Sequence, residues 1–153
     1  METLDGLAIA FDSLSEIITE GGKSFRELIP ADCVIRYADE VRLIVKHDEG
    51  MPLASTRDQS LTLTRTDKGI EYTANINTDN EYARDFMTLY KKHKRGKMSF
   101  GFTAVRDEWS GDVRTLREIV VSEISIVSQP AYPATTCGLT TSLKEKELAL
   151  LSL

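Results

Sequence analysis

Cysteine, histidine and proline are scarce in this chain of 153 residues, which holds 2 cysteines, 2 histidines and 4 prolines. Cys33 and Cys137 stand in unrelated contexts with no Cys-x-x-Cys spacing, so zinc-ribbon and redox-motif readings fall away and a reducing compartment is expected. No apolar run approaches the roughly 18 residues of a membrane helix, and Met1 to Asp5 lack the basic start and long apolar stretch of a secretory signal. The chain is therefore expected to stay where it is made. Positive charge is also short, with 19 basic against 24 acidic residues and a net charge of −5, which argues against a surface built to grip nucleic acid. What is present, 41% hydrophobic and 28% charged residues, describes one globular domain. A chain of this size buries about two thirds of the surface its unfolded form exposes, so its core needs no metal or disulfide.

Most segments read as strands, because apolar residues recur at every second position in short runs between turn residues. The clearest hairpin joins Leu61–Arg65 to Ile70–Ile76 through Asp67-Lys68-Gly69, with Ile70, Tyr72, Ala74 and Ile76 on one face. Further strands are expected over Leu7–Phe11, Val41–Lys46, Met98–Val105 and Leu116–Val127, with Trp109-Ser110-Gly111-Asp112 as the turn between the last two. A helix is expected over 79–95, where Thr78-Asp79-Asn80-Glu81 fits a capping box and Ala83, Phe86, Met87 and Tyr90 follow at helical spacing. A second helical stretch is expected from Pro30 through Glu40, and a short amphipathic one after Ser142. The reading is one mostly β domain over 1–135, then a linker and tail over 136–153.

Two histidines narrow the search for a general base. His47 follows the apolar strand Val41–Val45 and opens the polar stretch His47-Asp48-Glu49-Gly50, a position at a strand end where a site can form; a plain loop histidine is the alternative. A metal site at His47, Asp48 and Glu49 is set aside, because consecutive residues of an extended chain point in alternating directions. His93 lies in the basic run Lys91–Lys97 at the expected helix end, where positive charge complements the macrodipole; the other reading is contact with an anionic partner. In Lys97-Met98-Ser99-Phe100-Gly101-Phe102, the aromatic and methionine side chains share one strand face and Ser99 and Gly101 the other. Gly101 leaves room on that face for a substrate backbone, or marks a bulge. Glu123, inside the apolar strand Ile119–Val127, needs a cation or donors to meet it: Arg114, Arg117 or an imidazole. In the last case the carboxylate fixes the tautomer of a histidine that takes a proton from serine.

Together these residues resemble the prohead maturation proteases of tailed bacteriophages, serine peptidases similar in fold to the herpesvirus capsid assembly proteases (assemblin). The resemblance runs over roughly residues 6–135, through Gly6-Leu7-Ala8-Ile9-Ala10-Phe11, Ser24–Pro30, Val45-Lys46-His47-Asp48, Met98–Phe102 and Glu123–Pro133. It implies a small closed antiparallel β-barrel with flanking helix, with Ser99 as nucleophile, His47 as general base and Glu123 as third member; Asp48, next to His47, is the competing third member. The oxyanion donors by analogy lie near Gln129 to Tyr132, where Pro130 and Pro133 have no N–H, so no donor is named. Where many relatives carry Pro-Gly-Ala-Phe, this chain reads Pro30-Ala31-Asp32-Cys33. The resemblance further implies a serine endopeptidase that cuts scaffold and major capsid protein sequences, and itself, inside the procapsid in the host cytoplasm. No cofactor, no metal, no membrane and no specific nucleic acid is expected, and the resemblance makes a dimer a fair expectation. The alternative is a catalytically silent assembly module that binds scaffold or capsid protein.

Overall fold

A computed structural model describes residues 2–93, 96–127, 134–135 and 138–139. Among these residues it is mostly β, with one helix. The strands are β1 (Glu2–Ala10), β2 (Ile18–Glu20), β3 (Lys23–Leu28), β4 (Val34–Val45), β5 (Asp48–Ser55), β6 (Leu61–Arg65), β7 (Gly69–Ile76), β8 (Lys97–Ser110), β9 (Val113–Val127) and β10 (Gly138–Leu139); α1 spans Glu81–His93 between β7 and β8.

Among the described residues the strands form two sheets. One has the order β10-β1-β7-β6, the other β2-β3-β9-β4-β5 with β8 also paired to β9. Along β7 the alternation works as expected: Ile70, Tyr72, Ala74 and Ile76 are buried while Glu71, Thr73 and Asn75 face out. Ile70 and Ile76 each contribute about 1.5–3 kcal/mol on burial. The long β8–β9 hairpin turns at Gly111, whose φ of 61° suits a residue without Cβ. Register shifts after Gly101, Ala104 and Arg106 bend this hairpin, so the second sheet curls into a half-barrel. The first sheet covers it, with β1 against β8 and β5 against β7. The barrel-like fold class thus follows the expectation.

Its pairing is mixed rather than wholly antiparallel, since β9 runs parallel to both β3 and β4. Periodicity along one strand carries no information about the direction of its neighbour, and parallel neighbours need a crossover far apart in sequence. The expected helix over residues 30–40 is also replaced, by the first half of β4. That half has exposed Val34, Arg36 and Tyr37 beside half-buried Ile35 and Ala38, so no single apolar face marked it as strand or helix. The helix α1 starts at Glu81, two residues later than expected. Asn77 takes Asp79 N–H on its side chain, and Asn80 supplies the first helical carbonyl to Arg84, so asparagines open the helix in place of the expected Thr78 box. Ala83, Met87 and Tyr90 bury one face of α1. Lys94, Arg95 and the expected tail helix after Ser142 lie outside the described residues.

Candidate active site

The strand β9 is flanked by β8 on one edge and by β3 and β4 on the other. Its Glu123 is paired with Gly101 of β8 and Arg42 of β4, and its Ser125 with Ser99 and Ile44. Paired residues put side chains on the same face, so Ser99, Glu123 and Ser125 share one face of the neighbouring strands β8 and β9. A Cβ on Gly101 would stand 2.7 Å from Glu123 Oε1. The space that glycine leaves is thus filled by the Glu123 side chain rather than kept open for a substrate backbone.

His47 sits in the two-residue turn between β4 and β5, where Val45 pairs with Asp48. Lys46 and His47 both have positive φ, 52° and 58°, as the favoured two-residue hairpin turns require. The turn is anchored to β9 by Lys46 N–H donating to Ile126 C=O at 3.0 Å. A second anchor is His47 N–H donating to Ser125 Oγ at 2.6 Å. The ring then reaches Glu123: His47 Nδ1 and Glu123 Oε1 lie 2.5 Å apart. The imidazole is 48% exposed and the carboxylate 12%, so the pair has one face to solvent and its acid end inside.

Burial raises the Glu123 carboxyl above its ordinary value, the hydrogen bond and charge of His47 pull it back, and Glu49 pushes it up again. Its Oε2 is buried without a partner among the described residues, which adds to the cost of its charge. Arg42, next to it on β4, gives its guanidinium to Glu49 instead. With Glu123 ionised, Nδ1 must carry the proton, so the lone pair of the neutral ring is on Nε2. That is the arrangement of a proton acceptor held in one tautomer.

Of the partners weighed for Glu123, the imidazole is the one it meets. Arg114 binds Glu27 at 3.1 Å and Asp107 at 2.8 Å, and Arg117 turns to Asp32 and Glu108. Asp48 accepts Gly50 N–H in a local turn at 2.9 Å. Half-buried Ser99 lines a cleft of about 450 Å³ together with Gly101, Phe102, Glu20, Glu27 and Arg114. The strand carrying it is pinned at its other edge, where Met98 N–H donates to Thr135 Oγ1 at 3.0 Å and the same hydroxyl donates to Met98 C=O at 2.9 Å. Next to the His47 turn, Lys46, Met51, Phe86, Leu89 and His93 line an apolar recess of about 610 Å³. Lys91, in the basic run, is paired with Glu2. The expected oxyanion segment, Gln129 to Tyr132, lies outside the described residues. Sequence reasoning missed Ser125; its one signal is a hydroxyl set between Ile124 and Ile126, which must find partners if buried.

The family model of the caudovirus prohead serine protease matches residues 1–149 of the chain. The chain belongs to that family. Compared with curated proteins and with solved structures, it has no match. Prohead proteases are serine proteases of capsid maturation in tailed bacteriophages, which places this member inside the procapsid with the capsid proteins. Among its described residues no helix is long and apolar enough to cross a membrane.

Proposed function

We propose that this prohead protease uses Ser99 as nucleophile, His47 as general base and Glu123 as the carboxylate that orients the base. The observation that carries the reading is the 2.5 Å contact between His47 Nδ1 and Glu123 Oε1, on the strand paired with that of Ser99. A serine hydroxyl is a weak nucleophile until a base takes its proton as it attacks. In the proposed cycle Nε2 of His47 takes the Ser99 proton while Oγ bonds to the scissile carbonyl carbon. The collapsing tetrahedral intermediate expels the amine, which receives that proton, and an acyl-enzyme remains on Ser99. Water, deprotonated by the same imidazole, then releases the new carboxylate. General base help of this kind is worth about 10²–10⁴ in rate.

The substrates in this reading are scaffold and major capsid protein sequences, and the chain itself. Self-association as a dimer and a docking or autocleavage role for the tail over residues 142–153 belong to the same reading. Its chemistry is tested by treating the purified chain with a fluorophosphonate and mapping the adduct by peptide mass. The expected result is one adduct on the peptide holding Ser99, lost in His47→Ala. An unmodified Ser99 peptide in the folded wild type would contradict the assignment.

A further inference from the structure

We infer that Ser125 is a positioning residue whose hydroxyl holds the His47 turn in register with the strand that carries Ser99. The inference rests on the roles assigned above to His47 and Ser99. Ser125 is 0% exposed, so its hydroxyl has no recourse to solvent and needs partners inside the protein. Among the described residues it has two, one at the end of β4 and one in the turn that follows it. It accepts His47 N–H at 2.6 Å and donates to Ile44 C=O at 3.3 Å.

The first of these bonds fills a need of the turn itself. A two-residue hairpin turn uses the N–H of the residue after it, leaving the N–H of its second central residue without a partner inside the turn. Here that residue is His47, and both central positions are non-glycine residues at positive φ, a conformation L-residues keep only when their surroundings hold it. Ser125 supplies the hold on the residue that bears the imidazole. Its strand neighbour two positions earlier, Glu123, holds the ring. One face of β9 therefore grips the base twice, by its ring and by its main chain. Because Ser125 is also the ladder partner of Ser99, it links the main chain of the base directly to the strand of the nucleophile.

The test uses the full chain and a fluorophosphonate probe. In labelling, the Ser99 Oγ–P bond forms as the P–F bond breaks, fluoride leaves and the hydroxyl proton passes to the base. Ser125→Ala is expected to lower the limiting labelling rate by about 10- to 100-fold, the scale of a misplacement near 1 Å, with the half-saturating probe concentration changed less than about threefold. Ser125→Thr keeps the hydroxyl and is expected to recover at least about a third of the wild-type rate. Amide hydrogen exchange read by NMR gives a signature independent of catalysis: His47 N–H is protected in the wild type and loses protection in Ser125→Ala, while Leu43 and Ile124 keep theirs. Should Ser125→Ala fail to fold, Ser125→Cys, nearly isosteric and a weak acceptor, is read against the same expectations. Labelling within twofold of the wild type, or a His47 amide indifferent to the substitution, overturns the inference. A folded wild type that does not label at Ser99 overturns the assignment of the nucleophile, and the positioning role with it.

Discussion

Gly101 stands opposite Glu123 in the β8–β9 ladder, and a Cβ there would meet Glu123 Oε1 at 2.7 Å and Cγ at 3.0 Å. The atoms in its way are those of a flexible side chain, so the protein can accommodate a methyl by moving the carboxylate. That carboxylate is the one on His47. Gly101→Ala should therefore cost only about 1 kcal/mol in stability while lowering cleavage by about 10²-fold. Denaturant unfolding and cleavage rates measured on the same preparation check the split, and equal losses in both would contradict it.

Glu123 also ties function to stability. Its carboxyl is raised in the folded protein, chiefly by burial. The folded state then holds this proton more tightly than the unfolded state, so stability falls as pH rises from the ordinary carboxylate range through the raised value, and stays lower above it. Glu123→Gln removes that loss. The variant should gain stability relative to the wild type as pH rises toward neutral and should converge with it in acid, while cleavage falls by about 10²–10⁴-fold at neutral pH. Thermal unfolding at several pH values reads the first effect; a difference independent of pH would refute it.

The ion pair beside the Ser99 cleft is structural. Glu27 is 5% exposed at its side chain and pairs with Arg114, so Arg114→Ala takes a cation away from a buried carboxylate. A loss of about 3–5 kcal/mol is expected, or about 6–20 °C in melting temperature for a chain of this size. Arg117→Ala is the control. Its partners Asp32 and Glu108 are 79% and 64% exposed, so the loss should stay near or below about 1 kcal/mol.

How much of this was legible in the sequence depends on how local the cause is. The β6–β7 and β8–β9 hairpins announce themselves through alternation and turn residues, and the isolated carboxylate of Glu123 signals that it needs a partner. Which partner it takes was open, because strand parity says nothing about a side chain arriving from a turn on another strand. The Lys46-His47 turn carries no glycine or asparagine to betray its positive φ, and what holds it is supplied by Ser125, distant in sequence. The first half of β4 does not show itself as a strand in the sequence, because its neighbour β9 lies far along the chain and its own residues alternate too weakly to mark a buried face. Local chemistry was readable; long-range pairing was not.

The most direct test of the proposed machinery is co-expression of the intact chain, or of Ser99→Ala, with its cognate capsid and scaffold proteins, followed by masses of the products. The account predicts defined fragments with the wild type and uncut partners with Ser99→Ala. Cleavage that persists at the same bonds in Ser99→Ala would contradict the assignment, as would intact partners beside a folded wild type that has entered procapsids.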